Sequence, residues 1–412
     1  MQKREDVVIH IPKDIHSKLT FLIGDAEYIS NTPVVVYDEL RVEFLSDLSK
    51  KLLGQQNIRD YPDVATFAFW CRKSNLLRIM NDQDVDHLRL GLGLAFHISP
   101  SNVPVNFAFS LAFGILSGNT CVVRLPSNNH ESSIIIVKAL SDLLHSTKYV
   151  DVVKFIHLIK FERDDHVNQF WMSVADARIV WGGDATVSLM RKYDCKPRSR
   201  EVVFPDRFSL CAINAVYVLQ VTQNELDAIC KNLFNDIYIM DQNACSSPQI
   251  FAWVGNDKSV INRAKKILWS DFSNHVQERH DLEPIHYMNK YVNACKNAIQ
   301  YDNIVSIKHE NNLLFHIELS NFHDKQQDQR GYFGTIQEVS INTLDELSEI
   351  IDDRCQTLTY LGFSKDYLHR FVVDNQLRGI DRIVPIGRSL DMGTIWDGYD
   401  IIGHLSRIVH IY

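Results

Sequence analysis

The apolar positions of the chain change period several times, and those changes mark out its elements. In "YDELRVEFLSDLSKKLL", Leu40, Phe44, Leu45, Leu48 and Leu52 recur at helical spacing on one face. A second helical stretch is expected from about Tyr61 to Met80. Ahead of both, residues 1–30 hold a short strand, Val7 to Ile11, and irregular polar chain. From Leu92 strand and helix alternate. "LGLAFHI" reads as a buried strand, and a helix follows from near Pro104 to Leu116, since proline is tolerated in a first turn. "GNTCVVRL" leads the next strand, and "ESSIIIVKALSDLLHS" is a helix with a wide apolar face. "ARIVWGG" is a strand ending in a glycine pair, and "DATVSLMRKY" is a helix with Asp184 as its expected N-cap.

Such alternation implies an α/β chain with a parallel, doubly wound sheet, whose ligands bind at the carboxyl ends of the strands. Residues 99–104, 124–128 and 182–184 are the loops in that position. A second unit begins near Ser209. Its helix "NELDAICKNLFNDI" puts Leu226, Ile229, Cys230, Leu233, Phe234 and Ile237 on one stripe. A strand from Ile250 to Val254 and the helix "SVINRAKKILWSDF" follow, and alternation continues to about Leu361. The polar run from Asn321 to Gly331 is the expected mobile loop.

Composition narrows the function classes. A length of 412 residues suggests two or three domains at about 150 residues each. With 45% hydrophobic residues there is ample material for their cores. The net charge of -8 and the lack of a lysine- or arginine-rich block argue against a nucleic-acid binder. No run of about 18 apolar residues occurs, so no membrane span is expected. The N-terminus has no signal-peptide pattern, which sets the expected location as cytoplasmic. The eight cysteines show no C-x-x-C and scattered spacing, which disfavours disulfides and metal. Cys121, Cys211 and Cys230 lie inside apolar periodicity and read as core filler. Cys245, in "DQNACSSPQI", sits in a small-residue loop just before Pro248. On its own residues it is either filler or nucleophile, since no histidine lies nearby to activate it.

The stretch "ISPSNVPVNFAFSLAFGILSGNTCVVRLPSNN" resembles the cofactor-binding stretch of the aldehyde dehydrogenase superfamily. The matches are Pro100, Asn102, Pro104, Gly118, Asn119, Thr120, Arg124, Pro126 and Ser127. Gln242, Asn243, Cys245 and Pro248 resemble the cysteine motif of that superfamily, and Phe333 and Gly334 its later F-G-P block. "GLAFHISPSNVPVN", "DQNACSSPQ" and above all "DRIVPIGRSLDMGTIWDGYD" resemble the LuxC-type fatty acyl-CoA reductases of bacterial bioluminescence. The resemblance runs from about residue 85 to the end.

It implies an aldehyde dehydrogenase-like fold of two doubly wound α/β domains with the active site in the cleft between them. The expected division is 1–208 for an N-terminal segment and NADP-binding domain, and 209–376 for a cysteine domain. A C-terminal segment, 377–412, would return to the cofactor domain or an oligomer interface. Cys245 would attack a thioester and become acylated. The Asn102 amide and the Cys245 N–H would hold the oxyanion. Hydride from a nicotinamide would give a thiohemiacetal, from which aldehyde leaves. Ser99, Pro100, Arg124, Ser127, Gly182, Gly183 and Phe333 are the expected cofactor contacts. Arg124 stands where the superfamily often has lysine, and a guanidinium suits a 2′-phosphate, so NADPH is expected, with NAD possible. The donor would be acyl-CoA or an acyl-protein, with an acyl-protein synthetase as partner and a homo-oligomer as the assembly; no metal is expected.

Two departures from the superfamily stand out. The position of its water-activating glutamate is Val203, with Glu201 two residues away on the same strand face. Gly331 replaces its ribose-binding glutamate. His97, beside the Asn102 turn, is a candidate for proton transfer but more simply a core histidine. Trp396, Asp397 and Gly398 read as a turn that closes a pocket or merely packs. Two other functions fit the same residues: a hydrolytic aldehyde dehydrogenase using Glu201 as base, and a cysteine acyltransferase or acyl carrier without redox activity.

Overall fold

The computed structural model describes residues 7–82, 87–310, 312–323 and 325–412. Contacts divide the chain into Met1–Pro205 with Met392–Tyr412, and Asp206–Asp391. In the first unit the apolar runs become strands β1 (Thr20–Ile23), β2 (Leu94–Ile98), β3 (Thr120–Arg124), β4 (Ile156–Lys160), β5 (Ala177–Trp181) and β6 (Arg200–Phe204). Their order across the sheet is β1-β4-β3-β2-β5-β6, parallel except for β1. One of them, "IHLIK", is a short run broken by polar residues that the alternation did not declare.

Alternate residues of β2 serve opposite faces. Leu94, Phe96 and Ile98 pack with Trp171 and Met172 of helix Asp165–Val174, and Phe96 stacks on Trp171 with centroids 5.7 Å apart. His97 points the other way, toward helix Asn106–Leu116. There Gly114 is required, because a Cβ would lie 2.5 Å from Cys121 Sγ and 2.9 Å from His97 Nε2. The G-N-T turn before β3 is a structural joint. Buried Asn119 accepts from the N–H groups of Leu92 (2.6 Å) and Gly93 (3.2 Å) and donates to the carbonyl of Leu405 (2.8 Å). Arg41, also buried, donates to the carbonyl of Asn119 at 2.7 Å and lies 4.4 Å over the Phe155 ring. The C-terminal chain returns here, with Ser406–Val409 antiparallel to Leu88–Gly91. Just before it, Ile395–Trp396 and Tyr399–Asp400 form a hairpin. The turn runs through Asp397 (φ 48) and Gly398 (φ 74), the left-handed pair a two-residue hairpin needs.

The second unit is built on β7 (Phe208–Asn214), β8 (Pro248–Val254), β9 (Ile304–Glu310), β10 (Leu314–Leu319), β11 (Thr335–Ile341), β12 (Cys355–Leu361) and β13 (Arg382–Pro385). Its order is β9-β10-β11-β8-β7-β12-β13, parallel apart from β9. Cys211, Ile213, Phe251 and Trp253 face helices Gln223–Tyr238 and Lys258–Gln277. Leu210, Ala212, Ile250 and Ala252 face Leu344, Leu368 and Phe371 on the opposite side. With both faces covered, the sheet is doubly wound. A carboxylate is set inside it: Glu338 on β11 accepts from Trp253 Nε1 and Trp269 Nε1, each at 2.8 Å, and pairs with His316 Nδ1 at 3.0 Å.

The division differs from the expected breaks at 208 and 377. Residues 377–391 stay with the second unit because β13 adds in parallel to β12, and the chain returns to the first unit only at Met392. Helix Asp184–Met190 has Gly183, not Asp184, in its N-cap position. The run 321–331, apart from Asp324, which lies outside the described residues, is anchored. Gln326 and Gln329 are buried, and with Asn303 they form a ring of three amide hydrogen bonds at 2.8 to 3.1 Å.

Candidate active site

Cys245 is partly exposed, whereas Cys71, Cys121, Cys211, Cys230 and Cys355 are buried. Burial pushes the Cys121 and Cys211 thiols up to about 12, which keeps them inert. None of the eight cysteines is in a disulfide. The Cys245 loop precedes β8, so it stands at the amino ends of the parallel strands. This is the opposite end from the one an open α/β sheet normally uses. Two register shifts lie under it, between Ser209 and Leu210 against β8 and between Phe208 and Leu210 against β12. They aim two polar side chains at the cysteine, a known use of bulges beside reactive sites. Ser209 Oγ donates to the carbonyl oxygen of Cys245 at 2.7 Å and accepts from Thr357 N–H at 3.2 Å. Gln356 Nε2 donates to Cys245 Sγ at 3.2 Å. Ser209 and Gln356 are both fully buried.

Gln242 organises the same loop. It is buried, with φ +58, a backbone region that non-glycine residues rarely adopt. Its Oε1 accepts from the N–H groups of Gly334 and Thr335, each at 2.9 Å. Its Nε2 donates to the carbonyls of Pro248 (3.0 Å) and Thr335 (3.1 Å). Phe333 N–H donates to the carbonyl of Asp241 at 3.0 Å. The cysteine loop and the Phe333 turn, separate in sequence, are therefore one structure. Gln249 adds to it, accepting from Gly331 N–H at 2.9 Å and donating to the carbonyl of Gln242 at 3.2 Å. Lys290 supports the far side, donating to the carbonyls of Leu313, Asn312 (3.1 Å) and Phe333 (2.7 Å). Burial pushes its ammonium down to about 7, against the pull of Asp241. Phe333 itself stacks on His286, with centroids 4.3 Å apart.

In the first unit, the expected cofactor residues gather on one edge of the sheet, at the carboxyl ends of β2, β3 and β5. Ser99 N–H donates to the carbonyl of Arg124 at 3.2 Å, and Ile98 pairs with both Arg124 and Val180 in register. Pro100 follows Ser99 directly, and Asn102 and Ser127 are exposed in the adjoining loops. The Arg124 guanidinium lies 4.5 Å over the Phe161 ring and donates to the carbonyl of Phe161 at 3.4 Å. Its buried Nε has no hydrogen-bond partner among the described residues. Gly182 and Gly183 follow β5. A Cβ on Gly183 would meet nothing within 4 Å, so the backbone there is open to an approaching group. Asn102 belongs to the first unit, and Cys245 and Phe333 to the second.

The two proton-transfer candidates are both held by neighbours, His97 through one ring nitrogen. His97 is fully buried with Nδ1 2.7 Å from Ser110 Oγ, and burial pushes it down to about 3, so it is neutral near pH 7. Glu201 pairs with Arg191 Nε at 2.8 Å and Arg178 at 3.4 Å. Among the described residues, no group of three or more His, Cys, Asp or Glu side chains could hold a metal, and no helix is long and apolar enough to cross a membrane.

The model of the family described as Acyl-CoA reductase (LuxC) matches residues 72–408. The chain belongs to the LuxC family. The long-chain acyl-protein thioester reductase of Aliivibrio fischeri is 27% identical over 180 residues, 43% of this chain and 35% of that protein. Long-chain acyl-protein thioester reductase 2 of Photobacterium leiognathi is 23% identical over 254 residues, 55% of this chain and 50% of that protein. These matches span half or less of the relatives' own lengths. Among solved structures, an oxidoreductase from Marinobacter aquaeolei gives a TM-score of 0.62 at 10% identity, covering 96% of this chain and 98% of that one. Lactaldehyde dehydrogenase from Escherichia coli gives 0.60 at 12% identity, covering 90% and 86%. Glyceraldehyde-3-phosphate dehydrogenase from Methanocaldococcus jannaschii, complexed with NADP, gives 0.60 at 14% identity, covering 90% and 88%. At such identities the likeness is one of fold, and the fold is that of the aldehyde dehydrogenases, as expected.

The LuxC-like block "DRIVPIGRSLDMGTIWDGYD" is shared between the units. In its first half, Arg382 donates to the carbonyls of Ser389 and Asp391, both at 3.0 Å. Buried Asp236 accepts from Gly387 N–H (2.6 Å) and Ser389 N–H (2.9 Å). Burial pushes Asp236 up to about 6 despite those donors. Its second half is the Trp396–Tyr399 hairpin of the first unit. Gln356, Ser209, Gln249 and Lys290 are the site residues that sequence reasoning missed. The one signal for Gln356 was a long amide side chain inside a strand-like run, "CQTLTYL".

Proposed function

We propose that this LuxC-family chain reduces an acyl thioester to an aldehyde through an acyl-enzyme on Cys245. The observation that carries the reading is the cysteine's setting. It is a partly exposed thiol on a loop fixed from below by Ser209, with a side-chain amide aimed at its sulfur. In the first half-reaction Cys245 Sγ attacks the acyl carbonyl carbon. The bond from that carbon to the donor sulfur breaks, and the donor leaves as a thiol after taking up a proton. The Cys245 N–H and, from its place in the Pro100–Pro104 turn, the Asn102 amide are the proposed oxyanion donors.

The nicotinamide, when bound, supplies the hydride that reduces the acyl carbon. Ser99, Pro100, Ser127 and the open backbone at Gly182 and Gly183 fit its nucleotide portion, and Phe333 its ring. Arg124, with an unpartnered Nε, favours NADPH because a guanidinium binds a 2′-phosphate well. Glu201 is held by two arginines, which favours reduction over the hydrolytic alternative. That the relatives are named acyl-protein thioester reductases favours an acyl-protein donor over free acyl-CoA. An acyl-activating partner, a homo-oligomer and a cytoplasmic location complete the proposal.

The test is NADPH oxidation with acyl-CoA and acyl-protein thioesters, with aldehyde trapped, in wild type and Cys245→Ala. Thioester-dependent oxidation that the variant loses is expected. Acylation of Cys245 without any oxidation would instead favour the acyltransferase reading.

A further inference from the structure

Nothing in the family resemblance assigns a role to Gln356. It is fully buried on β12, and its amide nitrogen lies 3.2 Å from Cys245 Sγ. The register shift between Phe208 and Leu210 places it there: Phe208 pairs with Cys355, but Leu210 pairs with Leu358. That extra residue on β12 falls in the Gln356–Thr357 stretch, where Gln356 meets the cysteine. Ser209, on the neighbouring strand, holds the Cys245 carbonyl at 2.7 Å, so backbone and sulfur are fixed from two adjacent strands.

We propose that Gln356 is a catalytic residue, whose carboxamide N–H stabilises negative charge on Cys245 Sγ. The inference rests on the nucleophile reading above. The charge appears twice. It is present on sulfur before attack on the thioester carbon. It returns when the reduced intermediate collapses, as the C–Sγ bond breaks and its electron pair goes back to sulfur while the aldehyde carbonyl forms. A neutral amide suits both moments, because it donates without giving up a proton. A hydrogen bond to an ionised acceptor is stronger than one to a neutral group, so the contact tightens as charge builds.

The experiment is alkylation of the full chain with iodoacetamide at neutral pH, followed by mass mapping of each cysteine. Cys195 and Cys295 are exposed and serve as references, while buried Cys211 and Cys355 report on folding. In wild type, Cys245 should react faster than both references. Gln356→Met, which keeps the bulk but removes the donor, should slow Cys245 roughly tenfold, the equivalent of losing one charge-assisted hydrogen bond. Gln356→Glu, which sets a carboxylate against the sulfur, should be slower still. Equal rates in wild type and Gln356→Met, with the references unchanged, would overturn the role of Gln356 while leaving the nucleophile intact. Faster alkylation in Gln356→Met would show that the amide accepts the S–H and restrains it, which also overturns the proposal. A wild-type Cys245 no faster than Cys195 and Cys295 would instead sink the nucleophile reading itself. Should Cys211 or Cys355 label in Gln356→Met, Gln356→Asn, which retains the donor on a shorter arm, takes its place. It should lie between wild type and Gln356→Glu, and a rate at or below that of Gln356→Glu would count against the donor role.

Discussion

Gln242→Ala is the sharpest test of how the reactive loop is built. The wild-type carboxamide uses two acceptor and two donor positions, to Gly334 N, Thr335 N, Pro248 O and Thr335 O, all between 2.9 and 3.1 Å. Gln242 is 1% exposed, so water does not readily replace these bonds. Alanine keeps the same backbone class at φ +58, and the change in stability therefore belongs to the side chain. At about 1 kcal/mol net for each of the four bonds, the cost is about 4 kcal/mol. That is a large part of a typical domain stability of roughly 5–15 kcal/mol. A two-unit chain need not unfold in one step, so the assay should resolve the units. Urea titration with pulse-labelled, mass-mapped cysteines does this, because Cys71 and Cys121 report on the first unit and Cys211, Cys230 and Cys355 on the second. The second set should move to lower urea by the larger amount. A shift under about 0.5 kcal/mol, the size of an ordinary surface change, would refute the account of Gln242 as the joint between the cysteine loop and the Phe333 turn.

Four other outcomes are expected. Arg124→Ala should raise KM for NADPH roughly tenfold, the worth of a charge-assisted contact to phosphate, and KM for NADH far less; equal changes would remove the 2′-phosphate role. Gly118→Ala should fail to fold stably, because at φ +82 its Cβ would sit 2.2 Å from the carbonyl oxygen of Val34; a soluble variant with native thermal stability would contradict this. Asp236 sits near 6 in the fold against an ordinary 3.8, so the native state holds more protons between those values and its stability falls as pH rises through them. Asp236→Asn should flatten that slope in urea titrations at pH 4.5 and 7. His97 has the opposite sign: lowered to about 3 from 6.5, it must take up a proton on unfolding below 6.5, and stability falls as pH drops. His97→Gln should reduce the acid sensitivity of Cys121 labelling, and an unchanged acid profile would show that His97 does not carry it.

The sequence displayed the fold through long periodic segments and the site through short motifs, and each failed in a different way. Strand–helix alternation declared the doubly wound sheets, because β2, β3, β5 and β8 are continuous apolar runs. It passed over β4, "IHLIK", where two polar residues interrupt a short run and the neighbouring strands decide the state. The break at 377 was misplaced because "RIVP" looks no more like an edge strand than like a linker until β12 is there to pair with it. The G-N-T motif resembled a cofactor element, yet Asn119 spends its polar atoms on Leu92, Gly93 and Leu405. A motif records that residues are required, not whether a ligand or the chain's own backbone requires them. Cys245 and Gln242 were legible because they are close in sequence. Gln356 was not, because it reaches the sulfur across 111 positions and only through a register shift. A one-residue change of register turns a side chain to the other face of a sheet. In a regular β7–β12 ladder, "CQTLTYL" would therefore present different side chains to the cysteine. The contact between Gln356 and Cys245 thus depends on a property of strand pairing that no local stretch of this sequence contains.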